Sequence, residues 1–296
     1  PRPLTGLPPR RQDGAGGSRA LFRVGADIGG TFTDLVLLDS AGRLHTKKVS
    51  SSVDDYARAI IDGLGEIFRE TGIGGTDIAE VLHGTTVASN AVLEQKGART
   101  GLITTRGFRD VLEIRRLRMP RLYDLTWEKP APLVERYLRQ EVTERIDAQG
   151  AVQTPLDLTE VERVLARLQG EGIEALAVCL INSYANPTHE EQIKALVSRR
   201  APALVACYSV EVLPEIREYE RTSTTVINAY LAPVMSGYLG ETQRRAQEMW
   251  SGGRTTVRVM QSNGGIISAG RAAQEPVRTI LSGPAGGVMG AQYAAS

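Results

Sequence analysis

The chain has 296 residues, 42% of them hydrophobic and 23% charged, with a formal net charge of +1. This is the balance of a globular protein with room for two domains and a real core. The near-neutral charge argues against nucleic acid or an anionic membrane as a partner, and no apolar run approaches the ~20 residues of a bilayer span.

Residues 1–20 are rich in Pro, Gly and Arg and read as a disordered tail. Order begins with a strand from Leu21 to Ile28, a turn at Gly29-Gly30-Thr31, a strand from Asp34 to Asp39 and a third from Leu44 to Val49. Asp54 to Glu70 reads as a helix, with Tyr56, Ile60, Leu64 and Ile67 at helical spacing and Ser52 or Asp54 as its cap. A strand from Glu80 to Thr86 leads into a helix from Val87 to Gln95, closed by Gly97. Thr100 to Thr105 is a strand, and the basic stretch from Arg115 to Lys129 a long loop. Val142 to Ile146 and Ala151 to Thr154 read as a hairpin. Thr159 to Gln169 is an amphipathic helix whose stripe of Val161, Val164, Leu165 and Leu168 faces a core. A strand from Ala175 to Ile181, a helix from Pro187 to Arg199 and a strand from Ala203 to Val210 follow. Glu215 to Met249 is mostly helical, with Pro214 and Pro233 as breaks, before a last strand from Thr255 to Gln261. The texture changes near residue 205, where a domain boundary is expected. Cys179 and Cys207 sit in short apolar runs and read as buried thiols in a reducing, cytoplasmic setting.

The sharpest motif is Asp27-Ile28-Gly29-Gly30-Thr31-Phe32-Thr33-Asp34. Glycines let the backbone approach a ligand without a Cβ in the way, and successive amides in such a turn form a concave anion site. Thr31 and Thr33 add hydroxyls. Asp27, at a strand end, is placed to hold Mg²⁺ (or Mn²⁺) through water. A strand follows the glycines, so neither a P-loop nor a dinucleotide fingerprint fits. An ordinary Gly-rich hairpin turn is the competing reading.

Further stretches point the same way: His83-Gly84-Thr85-Thr86-Val87-Ala88-Ser89-Asn90, Leu102 to Asp110, Glu218 to Thr225, Gln261-Ser262-Asn263-Gly264-Gly265 and Ser282-Gly283-Pro284-Ala285-Gly286-Gly287. In order and density, from about residue 22 to the end, they resemble the hydantoinase A / 5-oxoprolinase family, which includes acetone and acetophenone carboxylase subunits. The resemblance implies an α/β, actin-like fold of the Hsp70 and sugar-kinase type, with a first domain over 21–205 carrying phosphate loop one. Residues 206–296 would begin a hydantoinase A domain that stops before phosphate loop two, leaving this stretch alone with weak nucleotide binding at most and no turnover. The implied chemistry is ATP-dependent hydrolysis of a cyclic amide through a phosphorylated intermediate, with the nucleotide subunit of a ketone carboxylase or a non-catalytic nucleotide-binding module as alternatives. A hydantoinase B-type subunit and a homo-oligomer are the implied partners.

On that basis Asp27, His83 and Thr85 are candidate catalytic residues, and Gly29, Gly30, Thr31, Thr33 and Asp34 candidate phosphate ligands. Thr86, Asn90, Arg109, Asn263, Gly264, Gly283 and Gly286 are expected to line the substrate cleft. Each carries a plainer alternative. Thr85 or Thr86 caps a helix and His83 packs locally; Arg109 and Asp110 belong to a structural ion-pair group; Asn263-Gly264 is only a turn. Gly283 to Gly287 allow close helix packing, and Glu218 with Arg221 forms a surface pair.

Overall fold

The computed structural model describes residues 22–38, 42–51, 56–74, 77–117, 123–124, 126–249 and 256–295. The expected tail and the helix caps Ser52 and Asp54 lie outside them. In chain order the elements are β1 (Phe22–Ile28), β2 (Phe32–Leu38), β3 (Leu44–Ser50), α1 (Tyr56–Thr71), β4 (Ile78–Thr85), α2 (Val87–Leu93), β5 (Thr100–Thr105) and α3 (Val111–Ile114). Then come β6 (Arg139–Val142), β7 (Arg145–Ile146), β8 (Val152–Thr154), α4 (Leu158–Gly170), β9 (Ala175–Cys179), α5 (Thr188–Arg200), β10 (Val205–Tyr208) and α6 (Ser209–Val212). The chain continues through α7 (Glu218–Met249), β11 (Thr256–Met260), β12 (Ile266–Ser268), α8 (Ala269–Gln274) and α9 (Ser282–Ala295). The architecture is mixed α/β, as expected. Among the described residues no helix is long and apolar enough to cross a membrane.

The described residues divide into two compact units, one drawn from within 22–90, 235–274 and 278–295, the other from within 91–234 and 275–277. The first is built on a six-stranded sheet of order β12-β11-β4-β1-β2-β3. β1, β2 and β3 form an antiparallel meander, while β4 runs parallel to β1 and β11 parallel to β4. In β2 the alternation puts Thr33, Leu35 and Leu37 inside and Phe32, Asp34 and Val36 outside. α1 packs on the inner face through Ile60, Leu64 and Ile67, all buried. Gly63 makes that approach possible, because a Cβ there would lie 2.4 Å from Leu35 Cδ1.

The second unit holds an all-parallel sheet of order β10-β9-β5-β6. Its central strands β5 and β9 are buried on both faces, as parallel strands usually are. The stripe of Val161, Val164, Leu165 and Leu168 joins this core, and α4 is capped by Asp157, which accepts from the Thr159 and Glu160 amides. Both cysteines are buried free thiols, and burial pushes the Cys207 thiol up to about 11.

Four local expectations need correction. Val142 does not belong to the hairpin. It ends β6, which pairs with β5, and the hairpin is only β7 with β8. Pro233 does not break its helix: α7 is continuous over 32 residues. An interior proline costs about 3 kcal/mol, and burial of Ala229, Leu231 and Ala232 before it and of Met235 and Leu239 after it offsets that cost. Arg221 is not a surface partner of Glu218. It is fully buried, with Nη1 donating to Ser183 Oγ at 2.8 Å and Nη2 to the Leu180 carbonyl at 2.7 Å. Finally, α2 ends at Leu93 and Gln95 takes the positive φ of 55° that was expected of Gly97. Gly97 serves packing instead: an added Cβ would meet Tyr230 Cε1 at 2.0 Å and Cδ1 at 2.2 Å. Gly97→Ala is therefore expected to destabilise the second unit by about 1–3 kcal/mol, the usual cost of overpacking. An unchanged denaturation midpoint in urea would show that the Tyr230 ring gives way freely.

Candidate functional site

The site grows from the end of β1. Asp27 is directly opposite Asp34 of β2 on one side and Gly84 of β4 on the other. Its side chain is exposed, yet its neighbourhood is crowded and poorly hydrated. That partial desolvation, reinforced by the Asp34 carboxylate, raises the Asp27 carboxyl above its ordinary range. Asp27 has no cationic partner among the described residues, whereas Asp34 is paired with Lys48 at 3.0 Å.

Two backbones come close to this carboxylate because they carry no side chain. A Cβ at Gly84 would sit 2.9 Å from Asp27 Oδ1, and one at Gly283 would sit 3.7 Å from the same atom and 3.7 Å from Thr86 Cγ2. Gly283 is in the first turn of α9. The preceding Ser282 is buried and locked to β4, its hydroxyl donating to the Thr85 carbonyl at 2.8 Å and accepting from the Thr85 amide at 3.2 Å.

The Gly29–Thr31 turn forms the other wall. The Gly29 amide donates to the Phe32 carbonyl at 2.9 Å. Gly29 and Gly30 are absent from the residues of positive φ, so their value lies in access rather than in left-handed geometry. Thr86 ties the turn to α2: its hydroxyl and its amide both donate to the Ile28 carbonyl, at 3.0 and 3.2 Å. Asn90 follows one helical turn later, its Nδ2 donating to Thr86 Oγ1 at 3.4 Å. A Cβ on Gly30 would come within 3.9 Å of that nitrogen. Asp27, Gly30, Thr86, Asn90 and Gly283, five of the residues singled out in the sequence, thus meet around one patch, with Gly84 added by the fold.

The remaining candidates have other surroundings. His83 does not open onto this patch. It is fully buried, with Nδ1 3.0 Å from the Ala26 carbonyl and Nε2 hydrogen-bonded to the Tyr238 hydroxyl. The carbonyl can only accept, so Nδ1 carries the proton and Nε2 accepts from Tyr238. Burial lowers its pKa to about 4, leaving a neutral ring at physiological pH. Thr85 is also buried, and its hydroxyl accepts from the Val87 amide at 3.1 Å, so it caps α2. The Thr33 hydroxyl lies beneath the turn, fully buried and 2.9 Å from Ser51 Oγ. Asn263 and Gly264 form the turn between β11 and β12. Asn263 Oδ1 accepts from the Gly265 amide, and Gly264 has a φ of 83°. Gly286 lets α9 lie against β11, since a Cβ would meet Met260 Sδ at 2.9 Å. Arg109 belongs to the second unit. Its amide is 3.4 Å from Glu141 Oε1, and the neighbouring Asp110 carboxylate is paired with Arg136 at 2.9 Å.

The arrangement offers exposed amides in the Gly29–Thr31 turn, the first turn of α9 at Gly283 and, among the described residues, one carboxylate without a counter-ion. No group of three or more His, Cys, Asp or Glu side chains is arranged to hold a metal ion among the described residues. The patch does fit a cation that keeps most of its water shell and takes a single carboxylate, as Mg²⁺ does.

Comparison with known proteins gives this geometry a context. Residues 23–201 match the family model of the hydantoinase/oxoprolinase N-terminal region, and residues 221–296 match that of hydantoinase/oxoprolinase. Caprolactamase subunit alpha from Pseudomonas jessenii is 37% identical over 274 residues, 90% of this chain and 39% of the relative. The crystal structure of the ATP-dependent caprolactamase from that organism superposes with a TM-score of 0.82, covering 89% of this chain and 39% of the other. 5-Oxoprolinase 1 from Arabidopsis thaliana is 34% identical over 296 residues, 89% of this chain and 23% of the relative. A nucleotide-free acetone carboxylase structure, 28% identical, superposes with a TM-score of 0.83 over 93% of this chain and 40% of that one. The chain thus spans about two fifths or less of these relatives' length. With a family model covering more than half of its residues, and with the mixed α/β fold that these neighbours share, the chain belongs to the hydantoinase/oxoprolinase family.

Proposed function

We propose that this chain is the phosphate-gripping portion of an ATP-dependent enzyme that hydrolyses a cyclic amide. The observation that carries the reading is the meeting of Asp27, the Gly29–Thr31 turn and Gly283 around an open patch. An unstrained cyclic amide is a poor electrophile, because resonance protects its carbonyl. Bound ATP would phosphorylate the amide oxygen, which removes the resonance and opens the carbon to water; the C–N bond then breaks with nitrogen leaving as the amine, and a second water releases phosphate and the carboxylate. Such a reaction needs positioning and charge stabilisation more than a strong nucleophile from the protein.

In this reading the amides of Gly30 and Thr31 face the terminal phosphates, with the Thr31 hydroxyl beside them. Asp27 anchors the hydrated Mg²⁺ or Mn²⁺ that neutralises those phosphates. Gly84 and Gly283 keep the approach to that cation clear of side chains, and Thr86 and Asn90 hold the turn against α2. Asp34, held by Lys48, contributes through its field at Asp27 rather than as a ligand. Arg109 is kept as a candidate for steering a carboxylate or phosphate, with its unpartnered, buried Nε as the supporting observation. The two matched stretches support a domain order with phosphate loop one in residues 21–205 and the start of a hydantoinase A domain in 206–296. Caprolactamase and acetone carboxylase are named as subunits or as ATP-dependent enzymes, which supports ATP use and a partner subunit here; the hydantoinase B type of that partner rests on the family resemblance. A cytoplasmic setting accords with the two free thiols.

The second reading, a ketone carboxylase, rests on the acetone carboxylase superposition. Measuring ADP release by the polypeptide carrying this chain, with its partner subunit, separates the two. Stimulation by a lactam, 5-oxoproline or a hydantoin is expected. Stimulation only by acetone with bicarbonate would transfer the assignment to the carboxylases, and no nucleotide hydrolysis with any substrate would leave a binding module.

A further inference from the structure

We infer that Ser51 is a positioning residue that holds the Gly29–Phe32 turn open toward a phosphate, an inference that rests on the reading of this turn as a phosphate site. In a closed two-residue hairpin loop, residues 29 and 32 exchange two hydrogen bonds, each amide donating to the other's carbonyl. Here only half of that exchange is made. The Gly29 amide donates to the Phe32 carbonyl at 2.9 Å, and the return bond from the Phe32 amide is missing. The Gly29 carbonyl accepts instead from Ser51 Oγ at 2.8 Å. Because the Ser51 proton is directed there, the Thr33 hydroxyl 2.9 Å away is the donor to Ser51 Oγ. The Ser51 amide takes the second turn carbonyl, donating to Thr31 O at 2.9 Å.

Ser51 thereby turns two peptide planes. A trans peptide points its N–H opposite to its C=O, so holding the Gly29 and Thr31 carbonyls against the protein directs the Gly30 and Phe32 amides outward. The register agrees. Phe32 is opposite Ser50, and the bond from Ser51 N to Thr31 O makes that a pair without mutual hydrogen bonds. The Phe32 amide therefore faces the turn and not β3. Among the described residues no hydrogen bond engages the amides of Gly30 or Thr31. Three successive free amides make a concave anion site, whereas a closed loop would offer two. Nothing in the composition around Ser51 announces this. The serine is 22 residues from Gly29 and lies outside every motif quoted above.

Ser51→Val and Ser51→Thr form an isosteric pair that differs by the hydroxyl, and Ser51→Ala gives the same loss without added bulk. Two readouts are made on the 296-residue chain: hydrogen exchange at the Phe32 amide, and amide shifts on titration with Mg²⁺ and inorganic tripolyphosphate. In Ser51→Val and Ser51→Ala the Phe32 amide is expected to close onto Gly29 and exchange more slowly, and tripolyphosphate to bind about tenfold more weakly, the effect of one lost bond to an anion. Ser51→Thr is expected to match the wild type. Equal Phe32 exchange and equal affinity in all variants would overturn the role of Ser51. A difference in exchange while tripolyphosphate shifts none of the 30–32 amides in the wild type would overturn the phosphate reading itself, and the assignment of Ser51 to phosphate with it.

Discussion

Asp27→Asn lowers Mg²⁺-dependent ATP hydrolysis by the polypeptide carrying this chain about 10²- to 10³-fold, the scale of losing one principal electrostatic group, and it does so without weakening the fold. Asn keeps the shape and removes the charge that would anchor a hydrated cation. The stability effect has the opposite sign. Asp27 faces Asp34 directly across the β1–β2 pair and has no cation beside it among the described residues. Its folded-state pKa lies above the ordinary 3.8, so the ionised form costs stability at neutral pH. That cost fades as pH falls through the raised pKa. Removing a like-charge cross-strand pair contributes about 0.2–1 kcal/mol, or about 1–3 °C in melting temperature for a unit of this size. A variant that loses turnover while melting at or above the wild-type temperature is the expected pair of results. Parallel loss of both would make Asp27 a structural residue.

His83→Ala has the largest expected effect on folding, about 3 kcal/mol. It opens a cavity in a fully buried place and removes the ring that bridges the Ala26 carbonyl and the Tyr238 hydroxyl. The wild-type residue also shapes the pH dependence. Its folded pKa of about 4 is below the reference value of 6.5, so the unfolded chain binds a proton that the folded chain excludes. Stability is then fully present above pH 6.5 and falls as pH drops toward 4, by about 3 kcal/mol from this residue alone. His83→Gln, which retains a donor and an acceptor, is expected to lose less stability at pH 7 and to flatten the acid limb of a stability–pH profile measured by urea unfolding. An acid limb identical to wild type would show that His83 titrates freely.

Most of the Gly29–Thr31 turn was legible in the sequence because its signal is local: two glycines between apolar strands, with an acidic residue at the strand end, define both the turn and its open face. The same locality explains the failures. His83 and Thr85 share their polar character with catalytic residues, and only the placement of Tyr238, 155 positions later, shows that the histidine's nitrogens are already engaged. Thr33 and Asp34 alternate across a strand, and burial of the odd positions in β2 takes Thr33 under the turn. Gly84 and Ser282 were within quoted motifs, yet their closeness to Asp27 and Thr85 depends on long-range pairing of β1 with β4 and on the seating of α9. Arg221 read as a surface residue from its neighbours in the helix, while its partners Ser183 and Leu180 come from a loop some forty residues earlier. Pro233 obeyed a sound local rule that burial on either side overrode.

The most direct measurement is a crystal structure of the polypeptide carrying this chain with a non-hydrolysable ATP analogue and Mn²⁺, using the anomalous signal to locate the metal. The terminal phosphates are expected against the amides of Gly30, Thr31 and Phe32, with the metal one water away from the Asp27 carboxylate. Phosphates bound elsewhere, or a metal held by other side chains with Asp27 facing only solvent, would contradict that placement.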